Sequence, residues 1–338
     1  MNAREGQRGS SARFDETEGV APSAGGSSNQ AGAGLHGVLV VDKPAGPTSF
    51  DVVRRLRRLG AGRKAGHTGT LDPMATGVLP VCLGDATKIA SFVTEGDKEY
   101  EALVVFGAET DTFDATGTVQ ARASTDGLDR GRVEGAVAAM AGEYWQTPPM
   151  YSAVKVGGRR LYELARQGEE VERRPRKVTI ERIELLDWDP GSASARIFVH
   201  CGKGTYVRSI AHELGQALGV GAHLGSLRRL RSGPFRIEDA VPLAMLMEAG
   251  AGEIAGHLVS LRDALPDLVE IVLDEARVRK VSHGMSLGAR DLAECRAPLL
   301  ALGERVRLID GAGRLLAVAE RQEVGLRYLR VLAAAGRD

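Results

Sequence analysis

The sequence has little cysteine: three residues in 338, Cys82, Cys201 and Cys295, odd in number and far apart. That excludes a disulfide framework and a clustered zinc site, and it fits a reducing cytoplasm. No apolar run is long enough to cross a bilayer, which excludes a helical membrane protein. There is no dinucleotide fingerprint at a strand-to-helix junction, no Walker sequence and no zincin motif, so nothing asks for a nucleotide, a redox group or a metal. An excess of one charge is missing too. The 44 Lys and Arg balance 44 Asp and Glu, so composition alone does not announce a partner for a polyanion. Residues 1–34 contain few large apolar side chains and lack a signal-peptide core, and are expected to be a disordered tail.

What is present describes a globular protein, with 43% hydrophobic and 26% charged residues. The length suggests a core domain plus a smaller appendage, divided near the Gly- and Ala-rich stretch at 248–262. Val38 to Val41 reads as a strand. Thr48 with Asp51 has the form of a helix start; Val52, Val53, Leu56 and Leu59 share a face, and Gly60 is the stop. Tyr100 to Phe106 reads as a strand running into a polar turn at 107–117, whose acids lack the spacing of a calcium loop. A helix is expected over 131–142, a long connection over 146–176, a strand over 195–201, and a helix from Tyr206 to Gly219. Residues 305–318 form a hairpin pattern around Asp310-Gly311-Ala312-Gly313, and Leu326 to Leu332 resembles a last strand.

Charge is better placed than its sum suggests. Between Lys155 and Lys177 eight basic residues face four acids, and Arg228, Arg229 and Arg231 make a second basic spot. Such patches neutralise phosphates, although either alone would also suit a solvated face. The run Gly66-His67-Thr68-Gly69-Thr70-Leu71-Asp72-Pro73-Met74-Ala75-Thr76-Gly77-Val78-Leu79-Pro80 sets one carboxylate among glycines and threonines. Pro73 turns Asp72 away from helical geometry, and the glycines allow close backbone approaches. By composition alone this is an ordinary Asp-Pro turn.

As a string it resembles, nearly residue for residue, the catalytic loop of the TruB family of bacterial tRNA pseudouridine synthases. Four more segments are similar to that family and follow in its order: Lys43 to Ser49, Lys98-Glu99-Tyr100 running on to Asp111-Thr112-Phe113-Asp114, Pro148 to Lys155, and Cys201 to Ile210. The likeness covers about residues 35–240. Thr70 and Met74 stand where some relatives carry Ala and Leu.

The resemblance implies an α+β pseudouridine synthase fold, a mixed and largely antiparallel sheet flanked by helices. It implies a catalytic domain over 35–250, with a basic insertion at 146–176 gripping the tRNA T arm. Residues 265–338 would form a small β-rich, PUA-like RNA-binding domain. The activity implied is conversion of the T-loop uridine at tRNA position 55 to pseudouridine on a flipped-out base, with no cofactor, no metal, no guide RNA and no membrane, by a cytoplasmic monomer.

Among residues, the resemblance makes Asp72 the nucleophile, Arg208 the cation that orients it, and Tyr100 the aromatic face for the uracil and a candidate for the final proton removal. His67 would help to displace the flipped base. Tyr206 and Leu227 would line the uridine pocket, and Lys43 and Asp114 are grouped with these substrate-binding residues, as loop support and polar contact respectively. Lys155, Arg159, Arg160, Arg173 and Arg174 are assigned to RNA binding. A noncatalytic tRNA-binding or tRNA-folding protein on the same scaffold, and an RNA-guided synthase, are the alternatives.

Overall fold

The computed structural model of the chain describes residues 35–332 apart from 60–63, 153, 166 and 170, and leaves the side chains of Lys155, Arg160 and Ala251 undescribed. The expected tail at 1–34 and the helix stop at Gly60 lie outside the described residues.

In chain order, β1 (Gly37–Lys43) leads to α1 (Ser49–Arg58), β2 (Ala65–His67), β3 (Thr76–Leu83), α2 (Ala90–Thr94) and β4 (Lys98–Phe106). A hairpin of β5 (Ala108–Thr110) and β6 (Val119–Arg122) precedes α3 (Arg130–Ala139) and β7 (Gly142–Gln146). Next come β8 (Lys155–Val156), β9 (Arg159–Arg160), α4 (Leu161–Ala165), β10 (Arg176–Asp189), β11 (Ser194–Cys201), α5 (Val207–Leu218) and β12 (Ala222–Ser232). The last part holds β13 (Phe235–Arg236), β14 (Val241–Pro242), α6 (Leu243–Glu248), α7 (Ala251–Gly256), β15 (Leu258–Val259), β16 (Val269–Val272), α8 (Glu275–Ser282), α9 (Ala289–Glu294), β17 (Arg305–Ile309), β18 (Leu315–Arg321) and β19 (Leu326–Val331).

The large sheet runs β14-β1-β3-β12-β4-β11-β10-β7. It is mixed: β1 with β14 and β12 with β3 are parallel, and the other neighbours antiparallel. Alternation along β4 buries Lys98, Tyr100, Ala102, Val104 and Phe106 on one face, as a period of two requires. Helix α1 starts on a capping box between Thr48 and Asp51 and buries Val52, Val53 and Leu56 in the main core. Its packing brings Ser49 down onto the loop after β2, whose carbonyl it holds.

Residues 305–318 do form a hairpin, and β17 also pairs in parallel with β16 in a separate four-stranded sheet, β16-β17-β18-β19. Ile309, Leu315 and Val318 of that sheet share an apolar cluster with Val38, Val40 and Val78 of the large one. The helix expected over 131–142 ends at Ala139, because Gly142 takes φ +103° and opens β7. The long connection at 146–176 is partly structured: β8 and β9 turn through Gly157 and Gly158, at φ +59° and +84°, and α4 follows.

Candidate active site

Residues 68–75 join β2 to β3 in a turn closed by Thr68 N donating to Pro80 O at 3.1 Å and Ala75 N to Asp72 O at 3.0 Å. Separate elements fix its backbone. Ser49, the first residue of α1, donates from Oγ to Leu71 O at 2.9 Å and accepts from Leu71 N at 2.8 Å. Gly46 N donates to Pro73 O at 2.8 Å. Lys43 Nζ, at the end of β1, donates to the carbonyls of Pro44, Pro73 and Ala75 at 2.8, 3.2 and 2.7 Å. From β12, Arg229 Nε donates to Val78 O at 2.7 Å and Nη2 to Gly69 O at 3.1 Å. Gly77 sits at φ +98°, where a Cβ would lie 2.2 Å from Arg229 O, so only glycine lets the loop enter β3 against β12.

On this frame Asp72 meets Arg208, the second residue of α5. Arg208 Nη2 donates to Asp72 Oδ1 at 3.2 Å, and Nε lies 2.8 Å from Oδ2. The same guanidinium donates to Thr112 O at 3.2 Å and Tyr151 O at 2.9 Å, and stands 3.7 Å from Asp114 Oδ2. Arg208 is thus tied to three segments at once, and its side chain is 4% exposed while that of Asp72 is 32% exposed. The pair is asymmetric: the cation is sealed and the anion keeps a face to solvent. Burial pushes the Asp72 carboxyl above the usual carboxylate range; Arg208 opposes that, Asp114 adds to it and Lys43 opposes it. Asp114 is held by Thr112 Oγ1 at 2.8 Å and by Thr116 N and Oγ1 at 3.0 and 2.6 Å, all on its Oδ1.

The remaining sequence-derived residues fall into distinct places. Tyr100 and Leu227, each 8% exposed, share the apolar cluster of Leu71 and Ala75, next to the Asp72 turn. Tyr206 caps the start of α5, and its backbone is clamped from both sides: its N–H donates to Gln146 Oε1 at 2.8 Å, and its carbonyl accepts from Gln146 Nε2 at 3.2 Å. The Arg176 guanidinium covers its ring at 4.8 Å. His67 ends β2 with its Nδ1 buried and without a hydrogen-bond partner among the described residues, and burial, then the Arg229 cation, lowers its pKa.

Lys43, which the resemblance groups with the substrate-binding residues as loop support, is 0% exposed and donates to three loop carbonyls. Burial pulls its ammonium down to about 8.

Of the basic residues, Lys155 and Arg160 face each other across the β8-β9 ladder, and their side chains lie outside the described residues. Arg159 pairs with Glu169 at 3.2 Å, Arg173 donates to Pro148 O at 3.1 Å, and Arg174 is exposed. The second basic spot is not a surface patch. Arg228 pairs with Asp42 at 2.8 Å, Arg231 with Glu99 at 2.7 Å, and Arg229 is 1% exposed. Among the described residues no group of three or more His, Cys, Asp or Glu is placed to hold a metal ion, and no helix is long and apolar enough to cross a membrane.

The Gln146 clamp extends to a titrating group. Gln146 Nε2 donates to Tyr144 Oη at 2.7 Å, and Tyr144 Oη donates to Glu213 Oε2 at 2.9 Å. Burial pushes Glu213 up to about 7, with the Tyr144 and Gln146 bonds opposing. A carboxyl raised by folding stabilises the protein fully below its unfolded pKa, and that contribution is lost as pH rises through about 7. Glu213→Gln keeps an acceptor for Tyr144 without the charge. It is expected to raise the melting temperature at pH 8 by about 2 °C and to leave it unchanged at pH 4, read by thermal unfolding at both. An equal shift at the two pH values would contradict the assignment.

Comparison with known proteins matches residues 57–207 to the family described as TruB family pseudouridylate synthase (N terminal domain), and residues 208–269 to the tRNA pseudouridylate synthase B C-terminal domain. A protein of Symbiobacterium thermophilum named tRNA pseudouridine synthase B is 49% identical over 263 residues, 78% of this chain and 86% of that protein. One of the same name from Saccharophagus degradans is 42% identical over 306 residues, 89% and 96% of the two chains. Among solved structures, the chain aligns with one from a Cbf5-Nop10-Gar1 complex at TM-score 0.69 and 26% identity, covering 89% of this chain and 86% of that one.

Proposed function

The chain belongs to the TruB family of pseudouridylate synthases, and on that premise we propose that it converts the T-loop uridine at tRNA position 55 to pseudouridine, acting without a guide RNA. It is an RNA uridine isomerase, and its relatives' shared name makes tRNA the substrate. The single observation that carries the residue-level reading is the sealed Arg208 holding the half-open Asp72.

The reaction breaks the N-glycosidic bond, turns the base and joins C5 to the ribose, with no net oxidation. Uracil must leave the RNA stack to be reached, at an unstacking cost of a few kcal/mol that protein contacts offset. In our reading Tyr206, Leu227 and Tyr100 receive the flipped base, and His67 fills in behind it. Asp72 supplies the carboxylate, by addition to the ring, by attack at C1′ or by assisting a glycal route. Arg208 holds it in one orientation, while Lys43 and Asp114 hold the loop and the guanidinium. Tyr100 is the candidate for removing the C5 proton.

We assign residues 35–250 to catalysis and 265–338 to a PUA-like RNA-binding unit, and the protein to the cytoplasm as a monomer. The RNA-guided alternative is less favoured, because relatives named tRNA pseudouridine synthase B reach 42–49% identity, whereas the structure from the Cbf5-Nop10-Gar1 complex shares 26%.

Purified protein with an unmodified tRNA transcript, followed by chemical mapping of pseudouridine, tests this. Full conversion at the T-loop uridine in EDTA is expected. Activity that returns only with one metal, or only with a second RNA, would sink the reading.

The basic insertion makes a separate claim. Arg159→Gln, Arg173→Gln and Arg174→Gln combined are expected to weaken tRNA binding and to flatten the slope of log K against log salt by about 2–3, since each lost phosphate contact removes about 0.7–0.9 of a released counterion. An unchanged slope would mean that these side chains meet only solvent.

A further inference from the structure

Among the described residues Arg229 is the largest fully buried side chain, 1% exposed, and no carboxylate lies within ion-pair distance of it. Its guanidinium faces the carbonyls of Val78, Gly69 and Thr70, at 2.7, 3.1 and 3.5 Å. A buried cation answered only by neutral dipoles is an expensive arrangement, and neutral donors could serve the same carbonyls.

Its position says what the charge is near. β12 lies between β3 and β4, and Arg229 is the residue registered with Gly77 on one side and Tyr100 on the other. One strand position thus joins the exit of the Asp72 loop into β3 to the tyrosine of the pocket. Around them Lys43, Arg208 and Arg229, all buried, stand against buried Asp114 and the partly exposed Asp72, so these charges leave room for one more anion.

We propose that Arg229 is a positioning residue whose fixed positive charge, held by the loop carbonyls, stabilises the phenolate of Tyr100 and so makes that oxygen a usable acceptor for the C5 proton. This rests on the reading that Tyr100 meets the base. Tyr100 first releases its proton to solvent. Once C5 has joined the ribose, the phenolate takes the C5 proton, and the electron pair of that C–H bond restores the ring double bond. N1, freed from the ribose, takes up from solvent one proton in place of the one Tyr100 released, and the C5 proton has already restored the phenol, so the isomerisation closes with no net proton gained or lost.

The charges that face Tyr100 come from three elements: Arg229 on β12, Cys201 on β11 and Asp72 in the turn. Burial raises the phenol, Arg229 opposes this, and Cys201 and Asp72 add to the rise. Arg229 is thus the cation that works against burial at this hydroxyl.

The test is the single-turnover rate against pH for the full-length protein with saturating tRNA, in the wild type, Arg229→Gln, Arg229→Lys, Tyr100→Phe and the variant that combines Arg229→Gln with Tyr100→Phe. Folding and tRNA binding are checked for each. Arg229→Gln is expected to lose about tenfold or more at pH 7 and to recover as pH rises, its limb displaced upward by at least about one unit. Arg229→Lys is expected to keep the wild-type limb with at most a few-fold lower plateau, and in the Tyr100→Phe background Arg229→Gln should displace nothing.

A loss that is the same at every pH, or one that multiplies with Tyr100→Phe, would reduce Arg229 to scaffolding and overturn the proposal. If the glutamine variant does not fold, Arg229→Lys decides: a uniform loss above about 100-fold overturns it as well. Full activity of Tyr100→Phe across pH is a different failure, that of the Tyr100 reading itself.

Discussion

Asp72→Asn is expected to abolish pseudouridine formation while leaving tRNA binding within a few-fold of wild type. Asn keeps the shape of the side chain and one acceptor oxygen for Arg208 Nη2, which lies 3.2 Å from the carboxylate, but it has no ionised oxygen to serve as nucleophile. A rate loss of about 10⁴-fold or more is the scale seen when a nucleophile is removed. Binding survives because affinity is spread over many phosphate and stacking contacts.

The variant should still fold. Arg208 loses its main counter-ion, yet it retains the Thr112 and Tyr151 carbonyls and has Asp114 Oδ2 at 3.7 Å, so the buried cation is not left bare. Single-turnover assays keep slow product release from masking the chemistry. Near-normal product from the Asn variant would remove Asp72 as nucleophile and restore the noncatalytic tRNA-binding reading.

Arg208→Lys carries the second largest effect. The charge is kept, but the planar fork is not, and the fork is what one side chain uses to reach Asp72, Tyr151 O and Thr112 O together. An ammonium on a flexible stem satisfies some of these and leaves at least one carbonyl without its donor at a site that is 4% exposed. Asp72 then samples several orientations, and a misplacement near 1 Å costs about 100-fold. The expected result is a single-turnover rate lower by about 10²–10³, with tRNA binding largely intact. A rate within fivefold of wild type would mean that charge alone suffices and that the orienting role is wrong.

How far the sequence carried these expectations differs from residue to residue. The turn around Asp72 was legible because it is local, with Pro73 restricting the backbone and the flanking glycines permitting close approaches, whereas the role given to Asp72 came from family likeness. The helix carrying Arg208 was legible for the same reason, since Val207, Ile210, Ala211 and Leu214 repeat at helical spacing and all are buried, and Gly219, at φ +74°, closes it. That Arg208 meets Asp72 followed from family likeness, not from spacing, for 136 residues separate them.

The part that escaped is β12. Its residues Ala222 to Ser232 do not alternate cleanly, because the ladder with β4 is broken by shifts at Leu224/Ser226 and Arg229/Arg231, and because an inward position is filled by arginine. Read as composition, Arg228, Arg229 and Arg231 are a basic patch. Folded, two are paired with Asp42 and Glu99 and the third is sealed beneath the Asp72 loop.

The sequence by itself therefore determined the local pieces: the turn that presents Asp72, the capped helix α1 beside it, the alternating β4 with Tyr100 on its buried face, and α5 with Arg208 near its start. Tertiary structure alone decided what those pieces do to one another. Ser49 becomes a staple of the loop, Gln146 becomes the clamp on Tyr206, and Arg229 becomes a buried cation between loop and tyrosine. The physical reason is one of range. Backbone preferences act over a few residues, whereas the burial and pairing of a charge depend on which strands the sheet sets side by side.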